Sequence, residues 1–469
     1  MIRFDLRQEQ RSYRLEGLCP VSPSPRVLTA IRREMKARHW TPDDMLFRSV
    51  AARIAGERSI RSVGLNDGVF YPEDHMPEGL GRIAAARPSI RTRARKTTGS
   101  LHTLVLLVDF SDNKGQRDPE AFRDLLFSAG TQPSGSLRDY YREVSYGRLD
   151  ITGEIVGWLR MPHPYSYYVN SDCGMGNQYP ENSQGLAEDA LRLAAKQVDL
   201  SQFDRDDDGF LDGLFIVHAG TGAEAADEAD SRSRMIWSHK SVLRKPLVFG
   251  GVTAYAYSVE PEDGAMGVFA HEFGHILGLP DLYDTTHRSA GAGTWCLMAS
   301  GSWGGGGERP THLCAWAKVY LGWLKPKNVT TARNIDLPPI ESKNVAYRIW
   351  KSGLSGLEFF LIENRQRTGN DQSLPGSGLL IWHIDEAQRN NDDPLHYRVA
   401  LEQADGKRDL ERGQNDGDAG DPYPGETNNA AFDDASRPNS RDYFGDRTGV
   451  TIKDFSQREN NEIELRVEL

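Results

Sequence analysis

The stretch that most constrains this 469-residue chain is Ala270-His271-Glu272-Phe273-Gly274-His275-Ile276-Leu277-Gly278-Leu279-Pro280-Asp281. His271 and His275 are four residues apart, so on a helix they share one face. Two imidazoles on one face can hold one zinc ion, and Glu272, beside the first, can reach a water molecule on that ion. These residue types suit hydrolysis: zinc acidifies the water, the carboxylate takes the proton, and the hydroxide attacks a carbonyl. Gly278 follows His275 by three residues and is placed to end the helix through a left-handed conformation. Pro280 keeps the helix from resuming, so the chain must turn back at once.

Asp281 falls ten residues after His271, where the third ligand stands in the H-E-x-x-H-x-x-G-x-x-H proteases. A carboxylate oxygen is a fair zinc ligand in place of a third imidazole. Glu308 competes for this role, but it lies in the Gly304–Pro310 run, which does not read as helix. The expected ligands are therefore His271, His275 and Asp281, with Glu272 as general base and then acid, and water in the open position. A short loop later comes Trp295-Cys296-Leu297-Met298-Ala299-Ser300-Gly301. This resembles the methionine turn under the zinc of metzincin proteases, with Met298 as its methionine. Some metzincins place a tyrosine two residues after that methionine, where this chain has Ser300; Tyr283 is the substitute for polarising a substrate carbonyl.

Charge excludes one broad class. With 56 Lys+Arg against 67 Asp+Glu the net charge is -11, and no basic surplus exists for general nucleic-acid binding. No run approaches the ~20 apolar residues of a membrane span. Met1 to Pro20 lacks the apolar core of a secretory signal, so the residues alone leave the localisation unknown. Four cysteines are too few for a disulfide scaffold. Cys296 and Cys314 are close enough in sequence to pair, or to stay as thiols near the site. Cys19 precedes Pro20 in a segment whose thiolate could fill the fourth zinc position and keep the enzyme latent; a disulfide half or a small buried side chain is the plainer reading.

The chain reads as α+β in three parts. Residues 1–96 are an N-terminal, partly helical extension or pro-segment. It has helical spacing from Val27 to Arg38 and a basic linker from Arg82 to Lys96. Residues 97–326 mix strands (His102–Phe110, Leu149–Leu159, Leu214–His218) with helices (one capped by Ser136 and running to Val144, another over Asn182–Gln197) in the manner of an enzyme domain. Ala254 to Val259 alternates as an edge strand would, a place for an extended peptide substrate to pair. Residues 327–469 carry short strand-like runs at Phe359–Glu363, Gly378–Ile384 and Tyr397–Glu402, which suggests a β-rich, sandwich-like accessory domain.

The chain resembles the immune inhibitor A family of secreted metallopeptidases. The matching stretches are Val105–Asp112, Gly135–Tyr141, Val144–Gly147, the histidine motif through Asp284, and Leu297–Trp303. The likeness extends through Gly378–Asp385. It implies zinc-dependent endopeptidase activity on protein or peptide substrates, a metzincin-like catalytic domain, synthesis as a precursor and secretion.

Asp204, Asp206, Asp208 and Asp212 stand at positions one, three, five and nine around Gly209, the first part of a calcium loop. The twelfth position is Phe215 rather than Glu, so Ca2+ would need donors from elsewhere, Glu224 among them. Asn415–Pro422 is a second acidic, glycine-rich loop with looser spacing. His218 either lines the cleft or is an ordinary core histidine. Two other functions fit the same residues: a catalytically silent binding protein on a protease fold, and a zinc hydrolase of non-peptide amides.

Overall fold

The computed structural model describes residues 19–37, 97–226 and 229–469. The basic linker Arg82–Lys96 lies outside them. Six strands make the first sheet: β1 (Cys19–Pro20), β2 (Gly99–Asp109), β3 (Leu149–Arg160), β4 (Leu214–His218), β5 (His239–Phe249) and β6 (Val252–Pro261), in the order β1-β5-β6-β4-β2-β3. β3, β2, β4 and β6 run parallel, and β5 and β1 are antiparallel to their neighbours. Leu104 to Val108 of β2 are all fully buried rather than alternating, because that strand packs helices on both faces.

Leu101, Val105, Leu107, Phe215 and Val217 face one core, shared with the helices Pro119–Phe127, Leu137–Val144 and Met266–Ile276. Leu104, Leu106, Val108, Leu214 and Ile216 face the other, shared with the helix Ser183–Ala194. The capping box forms as expected: the Ser136 hydroxyl accepts from the Asp139 N–H, and the Asp139 carboxylate accepts from the Ser136 N–H. Helical spacing near the N-terminus becomes the helix Pro25–Ala37.

One strand differs from expectation. The segment Ala254–Val259 lies inside β6, bonded to β4 on one side and β5 on the other, so it is not an edge. The edge next to it is β5, and β1 covers part of that edge.

After Trp323 the chain forms two further sheets. One is five-stranded, in the order β12-β11-β10-β9-β7, and the other four-stranded, in the order β13-β14-β15-β8. The first holds β7 (Lys327–Val329), β9 (Tyr347–Ile349), β10 (Glu358–Arg365), β11 (Gly378–Asp385) and β12 (Val399–Leu401). The second holds β8 (Arg333–Leu337), β13 (Ala431–Phe432), β14 (Thr451–Gln457) and β15 (Ile463–Glu468). The first core continues into them without a break, from Trp323 and Leu324 through Val329, Ile362 and Trp382 to Val467. Arg365 is fully buried at this junction. Its Nε and Nη2 donate to Asp371, and its Nη1 donates to the Trp295 carbonyl at 2.9 Å. Asp371 in turn accepts from the His312 N–H at 2.8 Å. Among the described residues no helix is long and apolar enough to cross a membrane.

Candidate active site

The helix Met266–Ile276 is buried along its whole length. It ends as its sequence dictates: Gly278 has φ 104° and the Leu279 N–H closes back on the Gly274 carbonyl at 3.0 Å. The turn brings Asp281 back against the helix. His271 Nε2 and His275 Nε2 are 3.1 Å apart, and each lies 3.2 Å from Asp281 Oδ1.

The proton positions follow from the partners. His271 Nδ1 meets the Leu297 carbonyl at 2.9 Å, and His275 Nδ1 meets the Leu279 carbonyl at 2.8 Å. A carbonyl only accepts, so both Nδ1 atoms carry the proton and both Nε2 atoms present lone pairs. Two imidazole lone pairs and a carboxylate oxygen thus converge, a repulsive arrangement unless a cation lies between them. Their spacing suits one: donors about 2.0–2.1 Å from a common ion and about 3.2 Å from each other subtend about 100° at it, close to tetrahedral. Burial tends to raise the Asp281 carboxyl, and only positive charge on the His275 and His271 rings beside it holds it below its usual range. Burial pushes the His271 ring down.

Glu272 is fully buried on the same helix, and neither carboxylate oxygen has a hydrogen-bond partner among the described residues. Burial pushes its carboxyl well above the ordinary range, and Glu260 and Asp281 add to the push. Glu260 is itself buried with both oxygens unpartnered among the described residues. The buried Lys240 offsets part of the charge at Glu272.

Met298 lies beneath this face. A Cβ placed on Gly274, between the two histidines in sequence, would lie 2.5 Å from Met298 Sδ. The Met298 carbonyl accepts from the Leu282 N–H at 2.7 Å, which ties the turn to the segment after Asp281. Tyr141 Oη donates to the Ala270 carbonyl at 2.6 Å from the same side. Glu308 is exposed in an irregular glycine segment and does not join the three donors.

Cys19 reaches the site from far away in sequence. Its Sγ, a His275 ring nitrogen and an Asp281 carboxylate oxygen all lie within 4.8 Å of one another. Tyr283 Oη donates to the Pro20 carbonyl at 2.5 Å, and its ring centroid is 6.4 Å from that of His271. His218 is fully buried with Nδ1 at 2.9 Å from the Ala219 carbonyl, and burial lowers its pKa to about 4. Cys296 and Cys314 are adjacent but form no disulfide: Cys296 Sγ accepts from the Cys314 N–H at 3.3 Å.

The acidic loops divide. Carboxylates of Asp204, Asp206 and Asp208 come within 4.8 Å of one another. Asp212 is not in that group; its Oδ2 accepts from the His102 N–H at 2.6 Å and fixes the loop to β2. Glu224 is also engaged elsewhere, accepting from the Ser238 N–H and hydroxyl. In the second loop Asp418 gathers with Asp405 and Asp409. The carbonyls of Leu279 and Leu297, and the pair Glu260 and Lys240, escaped sequence reasoning. Backbone acceptors carry no residue-type signal, and Lys240 and Glu260 meet Glu272 only through the packing of the helix Met266–Ile276 on the sheet.

Comparison with known proteins agrees with this geometry. Residues 95–325 match the model of the immune inhibitor A peptidase M6 catalytic domain. The chain is 33% identical over 270 residues to the pre-pro-metalloprotease PrtV of Vibrio cholerae serotype O1 (strain M66-2), covering 46% of this chain and 29% of that protein. It is 35% identical over 275 residues to immune inhibitor A of Bacillus thuringiensis subsp. alesti, covering 46% of this chain and 39% of the relative. The aligned part is thus well under half the length of either relative. The helix with the two histidines, the Met298 turn and the sheet strands β2 to β6 behind them all fall inside the matched span, so this part of the chain carries a domain of the immune inhibitor A peptidase M6 type.

Proposed function

We propose that the chain is a zinc-dependent endopeptidase. The observation that carries this is the convergence of His271 Nε2, His275 Nε2 and Asp281 Oδ1 at 3.1–3.2 Å, with the unpartnered Glu272 carboxylate on the same helix. These three residues would hold the ion. Zinc bound there supplies Lewis acidity, which makes water acidic enough to attack a carbonyl at neutral pH. Glu272 acts as general base and then as general acid: it takes the proton of the attacking water and delivers it to the leaving amine. The Leu279 and Leu297 carbonyls fix both imidazoles in the ligating tautomer.

The substrate is an extended stretch of polypeptide laid along β5, because strand pairing positions a backbone without demanding one sequence. A metzincin-like catalytic domain over 97–326, preceded by a pro-segment and followed by a β-rich accessory region, fits the same reading. The word "pre-pro" in the Vibrio relative's name supports export and a precursor here as well. Ca2+ on Asp204, Asp206 and Asp208 belongs to this reading as a stabiliser of the loop before β4.

The test is hydrolysis of unfolded casein by the purified chain and by Glu272→Ala, with metal analysis, before and after light trypsin treatment. One zinc per chain, chelator-sensitive turnover and none by the variant would support the reading. Absence of zinc, or equal turnover by the variant, would overturn it.

A further inference from the structure

Four large apolar side chains stand out in solvent at one end of the five-stranded sheet. Among the described residues the exposed large hydrophobics are Leu354, Leu357, Leu395 and Phe444, with only Val248 elsewhere. Glu358 pairs with Asp385 and Ile384 with Val399, so the loops before β10 and between β11 and β12 leave the sheet at the same end. The first loop carries Leu354 and Leu357, and the second carries Leu395. A third loop, which carries Phe444, joins them: the Tyr443 N–H donates to Glu358 Oε1 at 2.9 Å, and Lys351 pairs with Asp442. Single exposed apolar residues are ordinary, but four on three adjoining loops mark a contact surface.

The three loops share a packed base. His383 is buried between two carboxylates, with Nε2 2.9 Å from Glu358 and Nδ1 3.2 Å from Glu402. The Tyr443 ring is stacked between those of His383 and His396, with centroids 4.2 and 3.8 Å away, and His396 Nε2 meets Asp385 at 2.8 Å. Leu395 and Phe444, 74% and 88% exposed, each stand next in sequence to a member of that stack. Loops on a rigid scaffold are where binding side chains are commonly set. The second loop also reaches the catalytic side. Asn391 Nδ2 donates to the Leu282 carbonyl at 2.8 Å, the Thr285 N–H and hydroxyl both donate to Asp392 at 2.8 Å, and Arg288 donates to the Asp392 carbonyl at 3.0 Å. Leu282 directly follows the metal donor Asp281. From the reach of the chain between these points, Leu395 lies within about 25 Å of Asp281, a span that about eight extended residues cover.

We infer that Leu354, Leu357, Leu395 and Phe444 form an accessory binding surface for the substrate, which takes an apolar stretch of unfolded polypeptide while a bond of the same polypeptide lies at the metal site. This rests on the endopeptidase reading above. Folded proteins bury most such stretches, so the surface selects unfolded chain. Across residues 350–357, 386–398 and 441–447 five Lys and Arg stand against five Asp and Glu. The loops therefore have no basic surplus to hold an anionic membrane, and apolar contact carries the binding. Two contacts made by one polypeptide act together: the segment held on the loops raises the local concentration of the segment at the metal.

Binding is measured on the full chain carrying Glu272→Ala, so that nothing is cleaved, by fluorescence anisotropy of labelled unfolded casein. Casein is expected to bind, and Leu395→Ser together with Phe444→Ser is expected to weaken binding about 10-fold. Both positions are exposed, so the substitutions leave the core intact. In the active chain the same pair of substitutions should lower the ratio of kcat/KM for casein to kcat/KM for a blocked tetrapeptide about 10-fold, through KM, because the tetrapeptide is taken up by the metal site alone. Four outcomes would each overturn the surface as a substrate site and leave the zinc reading intact. They are casein binding unchanged by the double variant, equal losses on casein and tetrapeptide, a wild-type dimer that the variant turns into a monomer in light scattering, and retention on vesicles of phosphatidylserine and phosphatidylcholine that the variant loses. Metal-loaded chain that turns over neither substrate would overturn the endopeptidase reading, and this inference with it.

Discussion

Replacing Gly274 by alanine puts a methyl carbon 2.5 Å from Met298 Sδ, 3.3 Å from Met298 Cε and 3.5 Å from Tyr141 Oη. The last two are tolerable, so Met298 alone must move, by about 1 Å to restore van der Waals contact. Met298 is fully buried beneath the helix and has little room to retreat. Overpacking of this kind costs about 1–3 kcal/mol, and alanine recovers about 1 kcal/mol of helix propensity, so a net loss of up to about 2 kcal/mol is expected. Gly274 lies next to His275 and three residues from His271, so a shift of the helix relative to the Leu297 carbonyl also loosens the metal site. Zinc affinity should fall about 10–100-fold. Urea unfolding and zinc competition against a chromophoric chelator measure the two effects. Met298→Ala should relieve the clash, so the double variant should lose less stability than the two single losses added together. A Gly274→Ala chain as stable as wild type, with unchanged zinc affinity, would refute the placement of Met298 under the histidines.

Three further outcomes follow from the same geometry. Glu272→Gln should keep one zinc per chain yet lower kcat by about 10²–10⁴-fold; loss of the metal with the activity would assign Glu272 a structural role instead. In chain freed of its N-terminal strand, Tyr283→Phe should lower kcat about 10²-fold with KM little changed, as for removal of a donor to a developing oxyanion, and a change confined to KM would contradict that role. Burial pushes the Asp421 carboxyl up to about 7 from 3.8, so between those values the folded chain holds a proton that the unfolded chain has released. Its contribution to stability is full below the lower value and lost as pH rises to the upper one; Asp421→Asn should flatten that fall in thermal melts from about pH 4 to 8, and an unchanged slope would count against it.

The parts of this site that sequence made legible are local. The i and i+4 histidines, the glycine stop, the proline and the Asp281 return are set within one short stretch, and the structure brings those donors together as the spacing requires. The capping box at Ser136 and the buried strand β2 were legible for the same reason. What escaped depends on partners far along the chain. The alternation in Ala254–Val259 suggests an edge strand, yet β4, about forty residues earlier in the chain, pairs with it on the side away from β5. Asp212 fits a calcium register by count, yet its carboxylate answers an N–H from residue 102. Position along a loop does not fix side-chain direction when a stronger local donor lies nearby. Cys19 is separated from His275 by more than half the chain, and only tertiary structure brings them together.

Arg365 has a consequence for where this protein can be shortened. The guanidinium that holds the Trp295 carbonyl belongs to the region after residue 327, and its partner Asp371 also holds the His312 N–H. Between those two points runs the turn whose Leu297 carbonyl orients His271. The peptidase unit defined by sequence ends some forty residues before the arginine that steadies its own floor. A fragment cut there would retain His271, His275 and Asp281 and still lack the brace on the turn whose carbonyl orients His271, so the smallest fragment that keeps this geometry should extend at least through Asp371.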